Sequence, residues 1–190
     1  MMRMPTYRRH FLALFSFGAL LLSGCAVNAL PGQSLSVAAD DKFAVLPLSN
    51  ATDVPMVERR AQAIAVSLLQ QKGLHDVLVY PQKSSDNPLE AEPAVSPVQA
   101  LGWARQQGVR YALSGTVTEW RYKTGVDGEP AVGITLQVVD VSDGRVVWSA
   151  SGGRSGWGYQ ALAAVGQSQI EALLGGIRVV PAGAGKAAKP

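Results

Sequence analysis

Only the part of this chain beyond residue 24 is expected to fold, because everything before it has the pattern of an export signal. Arg3, Arg8 and Arg9 come first with no acidic residue among them, an apolar run from Phe11 to Leu22 follows, and the small residues Ser23 and Gly24 stand directly before Cys25. Positive, apolar and small in that order is how a secretory signal is built. The run is 12 residues long, well short of the roughly 20 that a membrane-spanning helix needs, so cleavage is expected rather than retention as an anchor. Cys25 then becomes the first residue of the mature chain. It is also the single cysteine, so an oxidising compartment offers this protein no disulfide.

Charge then narrows the partners. The formal charge of +3 includes three of the 17 basic residues that leave with the signal, and the remaining 14 basic side chains balance 14 acidic ones. Without a basic excess, nucleic acid is not an expected partner. Residues 25–41 are small and polar with Pro31 and Gly32, which reads as a flexible tether. Residues 42–178 are long enough for a single domain with one hydrophobic core. Residues 179–190, ending in PAGAGKAAKP, read as a disordered low-complexity tail.

Within that domain the apolar pattern alternates between strand and helix. Lys42 to Leu48 (KFAVLPL) is a short apolar run closed by Pro47, as in a buried strand. A helix follows, with Thr52 or Asp53 as its cap, Pro55 in its first turn, one apolar stripe of Val57, Ala61, Ile64, Ala65, Leu68 and Leu69, and Gly73 as its stop. Gln62 falls off that stripe. His75 to Tyr80 reads as a second strand, and the proline-rich stretch from Pro81 to Pro97 as a surface loop. Ser96 and Pro97 open a second helix that ends before Gly108. Val109 to Trp120, Val132 to Val138 and Val146 to Ser151, separated by an Asp-Gly turn at KTGVDGEP and another at Ser142 to Arg145, predict a three-strand meander. In the first of these strands Ser114, Thr116 and Thr118 share a face that must be wet or lie at an interface. A last helix carries Leu162, Val165, Ile170, Leu173 and Leu174. The order β-α-β-α-β-β-β-α predicts an α/β (α+β) domain, with a mixed sheet of about five strands and three packed helices.

Chemistry is sparse. His75 is the only histidine left in the mature chain, so neither a His/Cys metal cluster nor a His-based nucleophilic triad can be assembled. No glycine-rich turn has the spacing that cradles phosphate. Asp127 and Glu129 are close in sequence but lie at a turn tip, where nothing excludes water, and a plain solvated turn is the simpler reading. No catalytic residue, metal or cofactor is expected; the one covalent group is a lipid on Cys25.

Four tryptophans remain to be placed. Trp103 within a helix and Trp148 alternating with Val146 are most simply core residues, while Trp120 can cap the core or meet a neighbour. Trp157 stands between Gly156 and Gly158, beside Arg154 and Tyr159. Two readings stay open for it: a partly buried core residue, or an indole presented with Tyr159 and Arg154 to a membrane interface or another subunit.

Several stretches together resemble a known group. Leu22-Ser23-Gly24-Cys25 resembles a bacterial lipobox, and FAVLPLSNAT, GVRYALSGTVTEW and LQVVDVSDGRVVWSASG resemble periplasmic lipoproteins sharing the fold of the TolB N-terminal domain, CsgG and LpoB. With RSGWGYQALAAVGQSQIEALLGGI the similarity is to the PelC family. That resemblance implies a thiol on Cys25 carrying a diacylglyceryl group, its amine acylated as well, and, from Ala26 after it, an outer-membrane destination. It also implies a ring homo-oligomer, a dodecamer among the forms it allows, lipid-anchored on the periplasmic face of the outer membrane. Such a ring would guide Pel exopolysaccharide to the outer-membrane porin PelB, with Asp127 and Glu129 supplying acidic charge to its lumen. The alternative is a CsgG- or LpoB-like lipoprotein, a secretion component or an activator of a cell-wall synthase. The Trp120 to Ala131 hairpin is too short for the ~9 to 11 residues per strand of a self-contained pore.

Overall fold

The computed structural model describes residues 28–31, 34–82, 95–125 and 128–183. Its strands are β1 (Asn28–Pro31), β2 (Leu35–Ala38), β3 (Phe43–Val45), β4 (Ser49–Asn50), β5 (Val77–Val79), β6 (Tyr111–Tyr122), β7 (Pro130–Asp140), β8 (Val146–Ser155) and β9 (Ile177–Val180). The helices are α1 (Val57–Gln71), α2 (Pro97–Gln106) and α3 (Leu162–Leu174). A seven-stranded mixed sheet runs β1-β8-β7-β6-β3-β5, with β4 also beside β6. β3 is parallel to both of its neighbours, whereas β6, β7 and β8 form the antiparallel meander, with β1 antiparallel on its outer edge. Because β3 is central and parallel, both its faces are covered, which is why FAV is a continuous apolar run rather than an alternating one.

The α+β architecture, the three helices and the mixed sheet are those the sequence predicts; the sheet is wider than five strands. β1 and β2 fall inside residues 25–41, so the stretch taken as a tether is in part folded. β1 pairs with Ala150 to Gly153 on the outer flank of β8, an edge place that tolerates Pro31. β2 pairs in parallel with β9, setting Val37 opposite Val179 and Ala38 opposite Val180, and both Val37 and Ala38 are buried. Both strands are only four residues long and owe their existence to partners more than 100 residues away, so nothing local announces them. β9 likewise carries ordered structure to Val180, past the expected boundary at 178.

Two cores sandwich the sheet. On one face, α1 and α3 bury Phe43, Val45, Leu113, Val117, Trp120, Leu136 and Trp148. On the other, α2 covers only the end built from Ala44, Leu46, Ala112 and Val141, where Tyr80 and Trp103 meet edge to face at 5.2 Å between ring centroids. Trp120 and Trp148 are thus core residues, 2% and 3% exposed.

Helix starts show where local chemistry succeeded and failed. Ser96 accepts from Gln99 N while Gln99 returns a bond to Ser96 N, a complete capping box with Pro97 next to it. At α1 neither Thr52 nor Asp53 caps the helix. Thr52 instead closes a local turn, its hydroxyl accepting from Val54 N at 3.1 Å, and the chain enters at Val57 through Met56 in the left-handed region. Gln62, expected on the wet side, is buried: its Nε2 donates to the carbonyls of Leu46 at 3.1 Å and Val45 at 3.3 Å, where β3 stops pairing ahead of Pro47.

Candidate membrane-facing site

One end of the main sheet gathers the residues that the sequence singled out. Ala131 on β7 lies opposite Ser155 on β8, and Gly156 N donates to the Pro130 carbonyl at 2.8 Å, so the β6–β7 hairpin and the chain leaving β8 share that end. β1 begins there too, with Asn28 paired to Gly153. Immediately beyond stand three exposed aromatic rings: Trp157 at 72%, Tyr159 fully open and Tyr122 at 50%. Exposure excludes the buried-core reading of Trp157.

The loop that presents Trp157 is held rather than free. Its backbone N donates to Gln160 Oε1 at 3.1 Å and its carbonyl accepts from Gln160 N at 2.9 Å, a tight turn closed from both sides. A Cβ on Gly156 would collide with the Gln160 amide, Val165 and Pro130, so glycine there permits close packing. Tyr122 stays partly in place because its hydroxyl accepts from Leu162 N at 3.1 Å, satisfying a donor at the start of α3.

The charges at this end are mostly neutralised in pairs. Glu119 meets Arg121 at 3.1 Å, and Glu129 meets Lys123 at 3.5 Å across the hairpin. Glu129 therefore brings little net negative charge, since exposed pairs of this kind hold each other weakly but cancel at a distance. Asp127 lies outside the described residues, as does Cys25. Arg154 is half-buried on the covered face of β8, its Nε without a protein acceptor.

The far end carries different electrostatics. Burial works against the charge of Arg110, but its two bonds to the Asp41 carboxylate at 3.1 Å outweigh that and raise its pKa. The backbone N–H of Arg145, then its side chain, hold Asp143 below the ordinary carboxylate range. His75 is exposed beside Asp76. Among the described residues no group of three His, Cys, Asp or Glu side chains could hold a metal. None of the described helices is long and apolar enough to cross a membrane.

No protein-family model and no curated protein sequence matches the chain. Solved structures do. PelC of Paraburkholderia phytofirmans, solved as a dodecamer, is 39% identical, covers 82% of this chain and 100% of its own, and superposes with a TM-score of 0.70. A dodecamer of a point variant of that protein is 40% identical over 78% of this chain and 97% of its own, with a TM-score of 0.67. The lipoprotein GNA1162 of Neisseria meningitidis, 17% identical over 71% of this chain and 96% of its own with a TM-score of 0.51, shares the fold.

Proposed function

The chain belongs to the PelC family, and from that premise we propose that it is a non-catalytic lipoprotein of the outer membrane's periplasmic face, assembling into a ring that guides Pel exopolysaccharide to the porin PelB. The PelC relatives solved as dodecamers support self-assembly. The observation that carries the membrane orientation is the pairing of Asn28 with Gly153. Cys25 stands three residues before Asn28, so it lies at most about 11 Å away whatever path the chain takes. A lipid on Cys25 then brings the bilayer to the end that displays Trp157, Tyr159 and Tyr122, rings whose apolar bodies and polar tips suit the headgroup layer. Arg154 beside them would meet headgroup phosphate through the fork of its guanidinium.

In this arrangement the anchor and the aromatic end act together. A single acyl chain holds a protein marginally and several hold it stably, while the rings fix which way the domain faces. A closed ring requires that all copies present the same end to the membrane. The test is to extract the native lipoprotein, measure its mass, and assay exported polysaccharide in cells that lack it. A single high-mass species together with lost export is the expected result. A monomer, or export unchanged by its absence, refutes the proposal.

A further inference from the structure

Two surfaces of this domain carry long stretches without the charges that keep a protein surface in water, and they point in opposite directions. The first is the part of the sheet that α2 leaves uncovered. There the register sets Ser114, Gln137 and Ser149 in one row and Thr116, Thr135 and Ser151 in the next. Their side chains already bond along the rows, Gln137 Nε2 to Ser114 Oγ at 3.0 Å and Thr135 Oγ1 with Ser151 Oγ at 2.8 Å. No charged residue occurs in 111–118, 131–139 or 146–153, and Val146 and Val147 are exposed at one margin. The second surface is the outer side of α1. From Ala61 to Gln71 the helix has no charged residue, although Ala63, Ser67, Gln70 and Gln71 face water. Beside it runs a shallow groove of about 390 Å³ that starts at Arg59, the one charged residue in its lining, and reaches Val79 on the open edge of β5.

We propose that these two surfaces are the halves of one junction, the uncovered sheet face of each copy receiving the outer side of α1 from the next copy. This rests on the ring reading above and names the surfaces that would build it. The occupant is a second copy of this chain for three reasons. The sheet face is half of an α/β/α sandwich, with α2 covering one end and no other described helix beside it. α1 packs its apolar stripe on the opposite face of the same sheet, so its outer side points away from the sheet face. Two unlike surfaces facing opposite ways give head-to-tail contacts, which close into a ring when each copy turns by a fixed angle, about 30° for twelve. Finally, absence of charge is the compositional mark of the centre of a protein interface, and exposed surface helices otherwise carry alternating acids and bases.

The experiment blocks each surface separately in the mature lipoprotein in detergent. Ser149→Arg with Ser151→Arg places two cations on the sheet face, and Ala63→Arg with Ser67→Arg places two on α1; all four positions are exposed. Circular dichroism checks that each variant keeps its fold, and native mass spectrometry reads the assembly. The wild type should form one closed species, each double variant should be monomeric, and an equimolar mixture of the two variants should stop at the mass of two chains. That last result is expected because each blocked variant retains one intact surface, complementary to the one its partner retains. A folded variant that still forms the ring, or a mixture that remains monomeric, overturns the assignment of surfaces. A monomeric wild type overturns the ring reading itself.

Discussion

Trp157→Ala separates a residue that faces a membrane from one that holds the fold together. Trp157 is 72% exposed, so the domain covers only about 70 Å² of an indole side chain of up to about 250 Å², a burial term of at most about 1.8 kcal/mol. Alanine keeps part of that contact and the unfolded chain is already partly compact, which brings the expected loss of folding stability to about 1 kcal/mol. Trp120, 2% exposed, is the contrast: its truncation leaves a cavity and should cost about 3 to 5 kcal/mol. At the membrane the order reverses. If half of the open indole surface enters the headgroup layer, about 90 Å² is removed from water, worth about 2 kcal/mol or a 30-fold change in partition. The assay pairs denaturant melts with flotation on vesicles titrated to high lipid concentration, both in the Cys25→Ser background, where the weak binding that remains without the lipid anchor is still measurable and the anchor does not mask the indole. A stability loss near that of Trp120→Ala, or flotation indistinguishable from the parent, would refute the reasoning.

Three further outcomes are expected. Cys25→Ser should leave a folded domain that fractionates away from membranes, because Cys25 belongs to none of the described elements while the proposed attachment is the lipid; sedimentation after cell fractionation checks it. Gly166→Ala should destabilise, since its Cβ would meet the Trp120 ring, with Cζ3 at 2.6 Å and Cζ2 at 2.8 Å. The overpacking cost of about 1 to 3 kcal/mol exceeds the gain of about 1 kcal/mol that alanine brings to a helix interior, and thermal melts measure the difference. Asp143→Asn should lower stability at neutral pH, and the gap to wild type should close in acid. The sign follows from a depressed carboxylate: its contribution is present above the unfolded-state pKa and disappears as pH falls through the lower folded-state value. Melts at neutral and strongly acidic pH check it.

What the sequence determined by itself is local or periodic. The export pattern ending at Cys25 depends on neighbouring residues alone. The capping box at Ser96 closes within four residues, and the β6–β7–β8 meander is announced by alternation and turn residues that report their own geometry. The tertiary structure decided whatever depends on distant partners. Asn28 to Pro31 has no strand pattern and becomes one because β8 extends past its expected end and offers an open edge. Gln62 reads as a surface residue until the fold brings the Val45 and Leu46 carbonyls at the end of β3 against its amide. That Gly156 must lack a side chain is visible only once Val165 and Pro130 are brought against it. Glu129 reads as free charge until the hairpin folds Lys123 beside it. The grouping of Trp157, Tyr159 and Tyr122 with the start of β1 at one end of the sheet is likewise set by strand register, which joins residues more than 100 positions apart through backbone hydrogen bonds that no side-chain pattern encodes.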